Sequence, residues 1–161
     1  MINLVRYGNI NDLDEILNML DLCKKDMYER HLHIWDDNYP TKEIILNDLK
    51  SGNSVVYEYN GHVVAFLVYY KDIKDKNEKY YNDHKNPCLI QRVMSHPSYR
   101  RMGHAEAILR FVETKGFSSI RLLTRDVNIY SVNLYKKLGY NVMTTSLNGT
   151  DVMQFCEKVL L

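Results

Sequence analysis

The chain has 161 residues, 45% apolar and 25% charged, with 21 Lys+Arg against 20 Asp+Glu. That length and composition suit a single domain over residues 1–161 and exclude collagen-like, coiled-coil and disordered classes. The longest apolar run, Val63–Tyr70, has eight residues and cannot span a bilayer. No basic region precedes an apolar stretch at the N-terminus, so no signal peptide is expected.

In chain order, residues 2–7 read as a strand. Asn11 reads as the N-cap of an amphipathic helix in which Leu13, Ile16, Leu17, Leu20, Cys23 and Met27 recur at helical spacing. A second helix begins near Thr41 and stops at Ser51-Gly52. The strands SVVYEY and HVVAFLVYY flank Asn60-Gly61, the residue pair of a type I′ hairpin. Residues 71–86 are polar and read as a loop. A strand from about Cys88 to Ser95, a turn at His96-Pro97 and a helix from about Gly103 to Lys115 follow. After Gly116 come a strand over 118–124, a helix over 131–138 and two strands, 140–147 and 151–159, around Asn148-Gly149. The order β α α β β β α β α β β predicts an α/β (α+β) fold, with a mixed, mostly antiparallel sheet of 6–7 strands and four helices.

Cys23, Cys88 and Cys156 are too few and too scattered for a disulfide framework or a metal site, and are expected to be reduced packing residues of a cytoplasmic protein. His31 and His33 have metal-like spacing, but no third ligand is evident nearby. The net charge of +1 argues against a nucleic-acid binder, yet it is unevenly divided. Residues 1–86 carry 11 basic and 15 acidic side chains (−4); residues 87–161 carry 10 and 5 (+5). The second half therefore suits an anionic ligand.

The segment RVMSHPSYRRMGHA, Arg92–Ala105, sets a strand, a tight turn and a basic R-x-x-G-x-A run ahead of a helix. Helix N-termini bind phosphate through free amides and the positive end of the dipole. Gly103 permits close backbone approach, and Arg100 and Arg101 add charge suited to phosphate. Downstream lies NIYSVNLYKKLGY, Asn128–Tyr140. Together, R-x-x-G-x-A and N-x6-Y-x3-G-[FY] at this separation resemble the GNAT superfamily of acyl-CoA-dependent N-acetyltransferases, and the element order matches across residues 2 to about 159.

The resemblance implies a three-layer fold and transfer of an acetyl group from acetyl-CoA, as acyl donor and without a metal, to a primary amine of a small molecule or peptide. It implies that Val93, Met94 and Ser95 expose backbone groups to the pantetheine at a splay in the sheet. The amides of Arg101, Met102, Gly103, His104 and Ala105, with Arg100, would hold the pyrophosphate. Asn128 matches the pantetheine-contacting Asn and Tyr135 the general acid for the departing thiolate. A backbone N–H of Val93 or Met94 would serve as the oxyanion donor. Ala105 stands where many members have Gly and Ser95 where Val is usual; neither change removes an amide. Trp35 and Tyr39 lie where the superfamily builds its acceptor pocket, and Arg92 reads either as a substrate-orienting residue or as half of a structural ion pair.

The general base is not assigned. Gln91, which cannot act as a base, stands near the position where many members carry Glu; the candidates are Glu58, His62, His84 and Asp126. That gap keeps an alternative open: a catalytically inactive acyl-CoA sensor with the same fold. An RNA-modifying enzyme or toxin is a third reading, disfavoured by the near-neutral charge. The terminal hairpin offers an edge for a homodimer, and no membrane partner is expected.

Overall fold

The computed structural model describes residues 3–72 and 76–160. In chain order they form β1 (Leu4–Tyr7), α1 (Leu13–Glu29), α2 (Lys42–Lys50), β2 (Ser54–Tyr59), β3 (His62–Lys71), β4 (Pro87–Ser95), α3 (His104–Glu113), β5 (Ser119–Arg125), α4 (Ile129–Lys137), β6 (Asn141–Asn148) and β7 (Asp151–Val159), with short 3-10 turns between them. The strands hydrogen-bond in the order β1-β2-β3-β4-β5-β7-β6. The β4–β5 pair is parallel, whereas β1–β2, β2–β3, β5–β7 and β6–β7 are antiparallel. This is the expected mixed, mostly antiparallel sheet. β3 is buried without alternation from Val63 to Tyr69, the pattern of a strand covered on both faces.

Local chemistry explains the element ends. Asn60 and Gly61 adopt φ of 52° and 81°, the left-handed pair that a type I′ turn requires. Thr41 caps α2 by accepting from the Ile44 amide at 3.3 Å. The N-terminal cap differs from expectation. Asn9, not Asn11, is the capping residue: its side chain accepts from the Asn11 amide, and the Asp12 carboxylate accepts from the Asn9 amide. This closes a capping box around one 3-10 turn, and α1 starts only at Leu13. Likewise α4 begins at Ile129, two residues before the expected start.

Contacts group the chain into two compact units, Met1–Val68 with Arg92–Val112, and Tyr69–Gln91 with Glu113–Leu161. In the first, α1 buries Ile16, Met19, Leu20, Cys23 and Met27, while α2 buries Ile45 and Leu49. Arg6 of β1 joins Asp12 and Glu58, fastening the first strand to the start of α1. In the second, Ile120 and Leu122 of β5, Phe155 and Cys156 of β7 and Tyr135 of α4 are buried.

The segment read as a plain loop is the largest departure. Residues 76–84 include a 3-10 turn over Glu78–Tyr80 and are pinned to β5 and β7. The Arg121 side chain, fully buried, donates to Asp72 (2.8 Å), to both oxygens of Glu78 (2.6 and 3.0 Å) and to the Asp83 carbonyl (2.6 Å). Glu157 accepts from the Asn82 and Asp83 amides at 3.0 and 3.2 Å.

Candidate functional site

The first unit carries the end of β4, the following turn and α3. Within β4, Arg92 adopts φ 56°, a left-handed conformation that a non-glycine residue holds only when its surroundings compensate. The compensation is visible: its guanidinium meets Asp48 of α2 through two bonds of 2.6 Å and donates to the Tyr39 hydroxyl at 3.0 Å. Both charged side chains are nearly closed to solvent, 9% and 3% exposed. Of the two readings of Arg92, the structure supplies the ion pair, and Tyr39 is tied to it. Trp35 lies half-buried in the same connection between α1 and α2.

Beyond Arg92, Val93 and Ser95 are half-buried and Met94 is buried. The Ser95 carbonyl accepts from the Cys23 thiol at 3.2 Å. Pairing between β4 and β5 covers only Pro87–Leu89 with Ser119–Arg121, so residues 93–95 lie beyond the end of that ladder.

The R-x-x-G-x-A run then turns into α3. Arg101 and Gly103 have φ of 64° and 80°, so every other residue is left-handed, the backbone pattern of anion-binding nests. A Cβ placed on Gly103 would meet nothing within 4 Å, so its approach to a ligand is open. The Gly103 carbonyl accepts from the Ala107 amide at 3.0 Å, which places the His104 and Ala105 amides ahead of the first intrahelical bond. Arg101, Met102 and Gly103 are exposed, whereas Ala105 is half-buried. Arg100 is anchored to Asp26 of α1 at 2.8 Å, and Asp26 also holds Arg30. Burial opposes ionisation of Asp26, but the two guanidinium groups outweigh it and keep the carboxyl below its usual range. His104 turns inward, 5% exposed, with its ring 4.4 Å from Tyr57 and 5.2 Å from Tyr59. Burial lowers its pKa, so a neutral imidazole packs the start of α3.

The second unit carries Asn128 and Tyr135. Asn128 occupies the N-cap of α4, but its side chain makes no capping bond. Tyr135 is buried, with its ring 5.9 Å from that of Tyr140. Burial pushes the phenol well above its usual range, partly offset by the Ser131 hydroxyl, so it remains protonated at neutral pH.

The four base candidates all have partners. Glu58 pairs with Arg6, His62 with Glu15 and His84 with Glu78, while Asp126 accepts from the Val152 amide.

A sequence model of the acetyltransferase (GNAT) family matches residues 15–140. The chain belongs to the GNAT acetyltransferase family. Solved structures agree on the fold. A GNAT-family acetyltransferase from Streptococcus agalactiae superimposes with a TM-score of 0.86 at 19% identity, covering 98% of this chain and 95% of that one. The Salmonella typhimurium protein yncA, solved with its cofactor acetyl-CoA, gives 0.74 at 16% identity over 99% and 95%. The paia N-acetyltransferase of Thermoplasma acidophilum, solved with coenzyme A, gives 0.73 at 18% over 99% and 99%. A search of curated proteins finds no match.

Within this GNAT member, Asp48, Arg121 and Glu157 were not singled out by sequence reasoning. A signal for one existed: Arg121 interrupts the apolar run of SSIRLLT, where a lone charge must be solvated or paired. Among the described residues no cluster of three or more His, Cys, Asp or Glu is arranged to hold a metal, and no helix is long and apolar enough to cross a membrane.

Proposed function

We propose that the protein is an N-acetyltransferase that moves an acetyl group from acetyl-CoA to a primary amine of a small molecule or peptide by direct attack. The observation that carries this reading is the Arg100–Ala105 loop. Its left-handed Arg101 and Gly103, its exposed surface and the early amides of α3 suit the pyrophosphate of coenzyme A. No atom within 4 Å of a Cβ at Gly103 would block a diphosphate there. Arg100, Arg101, Met102, Gly103, His104 and Ala105 would hold the diphosphate; Val93, Met94 and Ser95, beyond the β4–β5 ladder, would pair with the pantetheine, as would the uncommitted amide of Asn128.

When bound, acetyl-CoA supplies an electrophilic thioester carbonyl and a thiolate leaving group. The amide of Val93 or Met94 would donate to the carbonyl oxygen as negative charge develops there, worth about 3–4 kcal/mol by analogy with other acyl transfers. Holding both reactants in register contributes up to about 7–11 kcal/mol. In the net reaction a nitrogen–carbon bond forms, a carbon–sulfur bond breaks, and one proton passes from the amine to the thiol. Tyr135, protonated and buried, would hold the proton that meets the departing sulfur. With no side-chain base assigned, the amine proton would leave through water.

Gln91, standing near where many members carry Glu, supports one alternative, an acyl-CoA sensor that binds without turnover. The single domain over 1–161 and the cytoplasmic location belong to the same proposal. Cys23, Cys88 and Cys156 are free and buried, in keeping with packing residues, and burial raises their thiols to about 11, 12 and 11. The edge position of β6, with Val142 and Leu147 exposed, supports a homodimer. A panel of primary amines with acetyl-CoA and thiol detection tests the activity. Thiol release with at least one amine is expected; binding of acetyl-CoA with no release from any amine establishes the sensor instead.

A further inference from the structure

The arrangement at Arg92 is unfavourable on two counts. A non-glycine residue at φ 56° sits in a sparsely populated conformation, and the Arg92 and Asp48 side chains, 9% and 3% exposed, have both given up water. Two simpler ways of bending β4 exist. Glycine takes the left-handed conformation without steric cost, and a buried ion pair can often be replaced by packed apolar side chains without loss of stability. Neither supplies what this pair supplies, which is direction.

The guanidinium donates through Nε and Nη2 to the two Asp48 oxygens at 2.6 Å, and through Nη1 to the Tyr39 hydroxyl at 3.0 Å. A planar fork bonded at three nitrogens cannot turn, so the side chain is fixed at its far end as the left-handed backbone is at its near end. Asp48 is itself set firmly: on α2 it stands beside Ile45 and Leu49, all three buried. Its carboxylate matches the Arg92 charge, so the pair acts on its surroundings through geometry.

That geometry bears on one group above all. The peptide that follows Arg92 carries the Val93 N–H, and a left-handed residue within a strand breaks the regular alternation of peptides, as in a β-bulge, and re-aims what comes next. Neither Val93 nor Met94 has a positive φ, so the Met94 amide follows ordinary strand backbone. The far end of the same segment is pinned too: the Ser95 carbonyl accepts from the Cys23 thiol of α1 at 3.2 Å, and the Met94 side chain is buried. Val93 thus lies between two anchors, one from each of the first two helices, and past the end of the ladder with β5.

We propose that Arg92 and Asp48 are positioning residues for acyl transfer: their pair turns the Val93 N–H out of the strand and makes Val93, rather than Met94, the donor to the thioester oxygen. The inference rests on the acetyltransferase reading. When the amine attacks, negative charge gathers on that oxygen, and an amide already aimed there stabilises it without having to reorganise. An amide free to swing back into strand register gives up part of that stabilisation. The diphosphate is held by the Arg100–Ala105 loop, further along the chain, so the pair acts on kcat rather than on coenzyme A affinity.

The test separates direction from stability. In the double variant Arg92→Met/Asp48→Leu both charges leave together and apolar groups fill their space, so the thermal midpoint is expected to stay within a few degrees of wild type. Its kcat for thiol release from acetyl-CoA, with the fastest amine of the panel and counted per coenzyme A-binding site, is expected to fall about 10²-fold, the loss that follows removal of one oxyanion donor. Coenzyme A affinity, by calorimetric titration, is expected to stay within about threefold. Arg92→Lys keeps the charge but not the fork, and is expected to lose about tenfold in kcat; it carries the test if the double variant does not fold. A second readout needs no turnover. With acetyl-CoA labelled with carbon-13 at the carbonyl, the bound resonance is expected downfield of the free ligand in the wild type, as a hydrogen bond to the oxygen requires, and close to the free position in the double variant. An unchanged kcat, an equal downfield shift in all the proteins, or a loss of affinity as large as the loss of kcat overturns the positioning role and leaves the acetyltransferase standing. Wild-type protein that releases no thiol with any amine overturns the acetyltransferase reading, and the positioning role with it.

Discussion

The Arg100–Ala105 loop and the turn over residues 76–84 are both charge-bearing surface segments, built in opposite ways. The loop is shaped by its backbone: left-handed Arg101 and Gly103, then the first amides of α3. The turn is shaped by side chains from distant strands, with Arg121 gathering Asp72, Glu78 and the Asp83 carbonyl, and Glu157 accepting the Asn82 and Asp83 amides. A backbone-built site leaves a local signature of glycine and spacing. A side-chain-built one leaves a single odd residue some 40 positions away. If the contrast is sound, each region should fail separately.

The largest effect is expected from Arg121→Met. It strands the Asp72, Glu78 and Glu157 carboxylates without their shared cation, and breaking a buried pair costs about 3–5 kcal/mol. For a chain of this size that lowers the thermal midpoint by about 6–20 °C, at about 2–4 °C per kcal/mol. Acetyl-CoA affinity should stay within about twofold; a collapse of affinity in a folded variant would mean the two regions are not separate.

Asp48→Ala should cost about 3 kcal/mol, measured by denaturant unfolding, because it leaves the left-handed Arg92 with the Tyr39 hydroxyl alone. A change under about 0.5 kcal/mol would show that the pair does not hold the bend in β4.

Tyr135→Phe tests the second unit's share of the chemistry. Turnover should fall about 10²-fold with coenzyme A affinity nearly unchanged. Equal turnover would show that thiolate departure needs no phenol.

The smallest effect is an acid response confined to the turn. Arg121 and then His84 hold Glu78 at about 2, below its ordinary value of 4.5. Its folded pKa is thus depressed, so the stability it contributes is complete above 4.5 and is lost as pH falls from there toward 2. Hydrogen exchange at Asn82 and Asp83 should accelerate across that window before exchange in α3 does. Simultaneous acceleration in both would remove the distinction.

The elements and their order were legible in the sequence because periodicity and turn chemistry are local. Asn60-Gly61, Thr41 and Gly103 each punctuate the chain where expected, and the two motifs gave the family. Element starts were less legible. Asn9 and Asn11 are both good caps, and only the reciprocal bond from Asp12 decides between them. The partners of Arg92 and Arg121 were not legible at all. Asp48 is 44 residues from Arg92 and Glu78 is 43 from Arg121, and no local pattern encodes such pairings.

The claim on which the rest depends is that coenzyme A sits on the Arg100–Ala105 loop. Calorimetric titration of coenzyme A into wild-type protein and Gly103→Glu tests it most directly, since position 103 is exposed and left-handed and the new carboxylate would meet the diphosphate. The account predicts binding by the wild type and a loss of at least about 100-fold, about 2.7 kcal/mol, in the variant, with the thermal midpoint of the free protein shifted by only a few degrees. Equal affinity in the two proteins would contradict it.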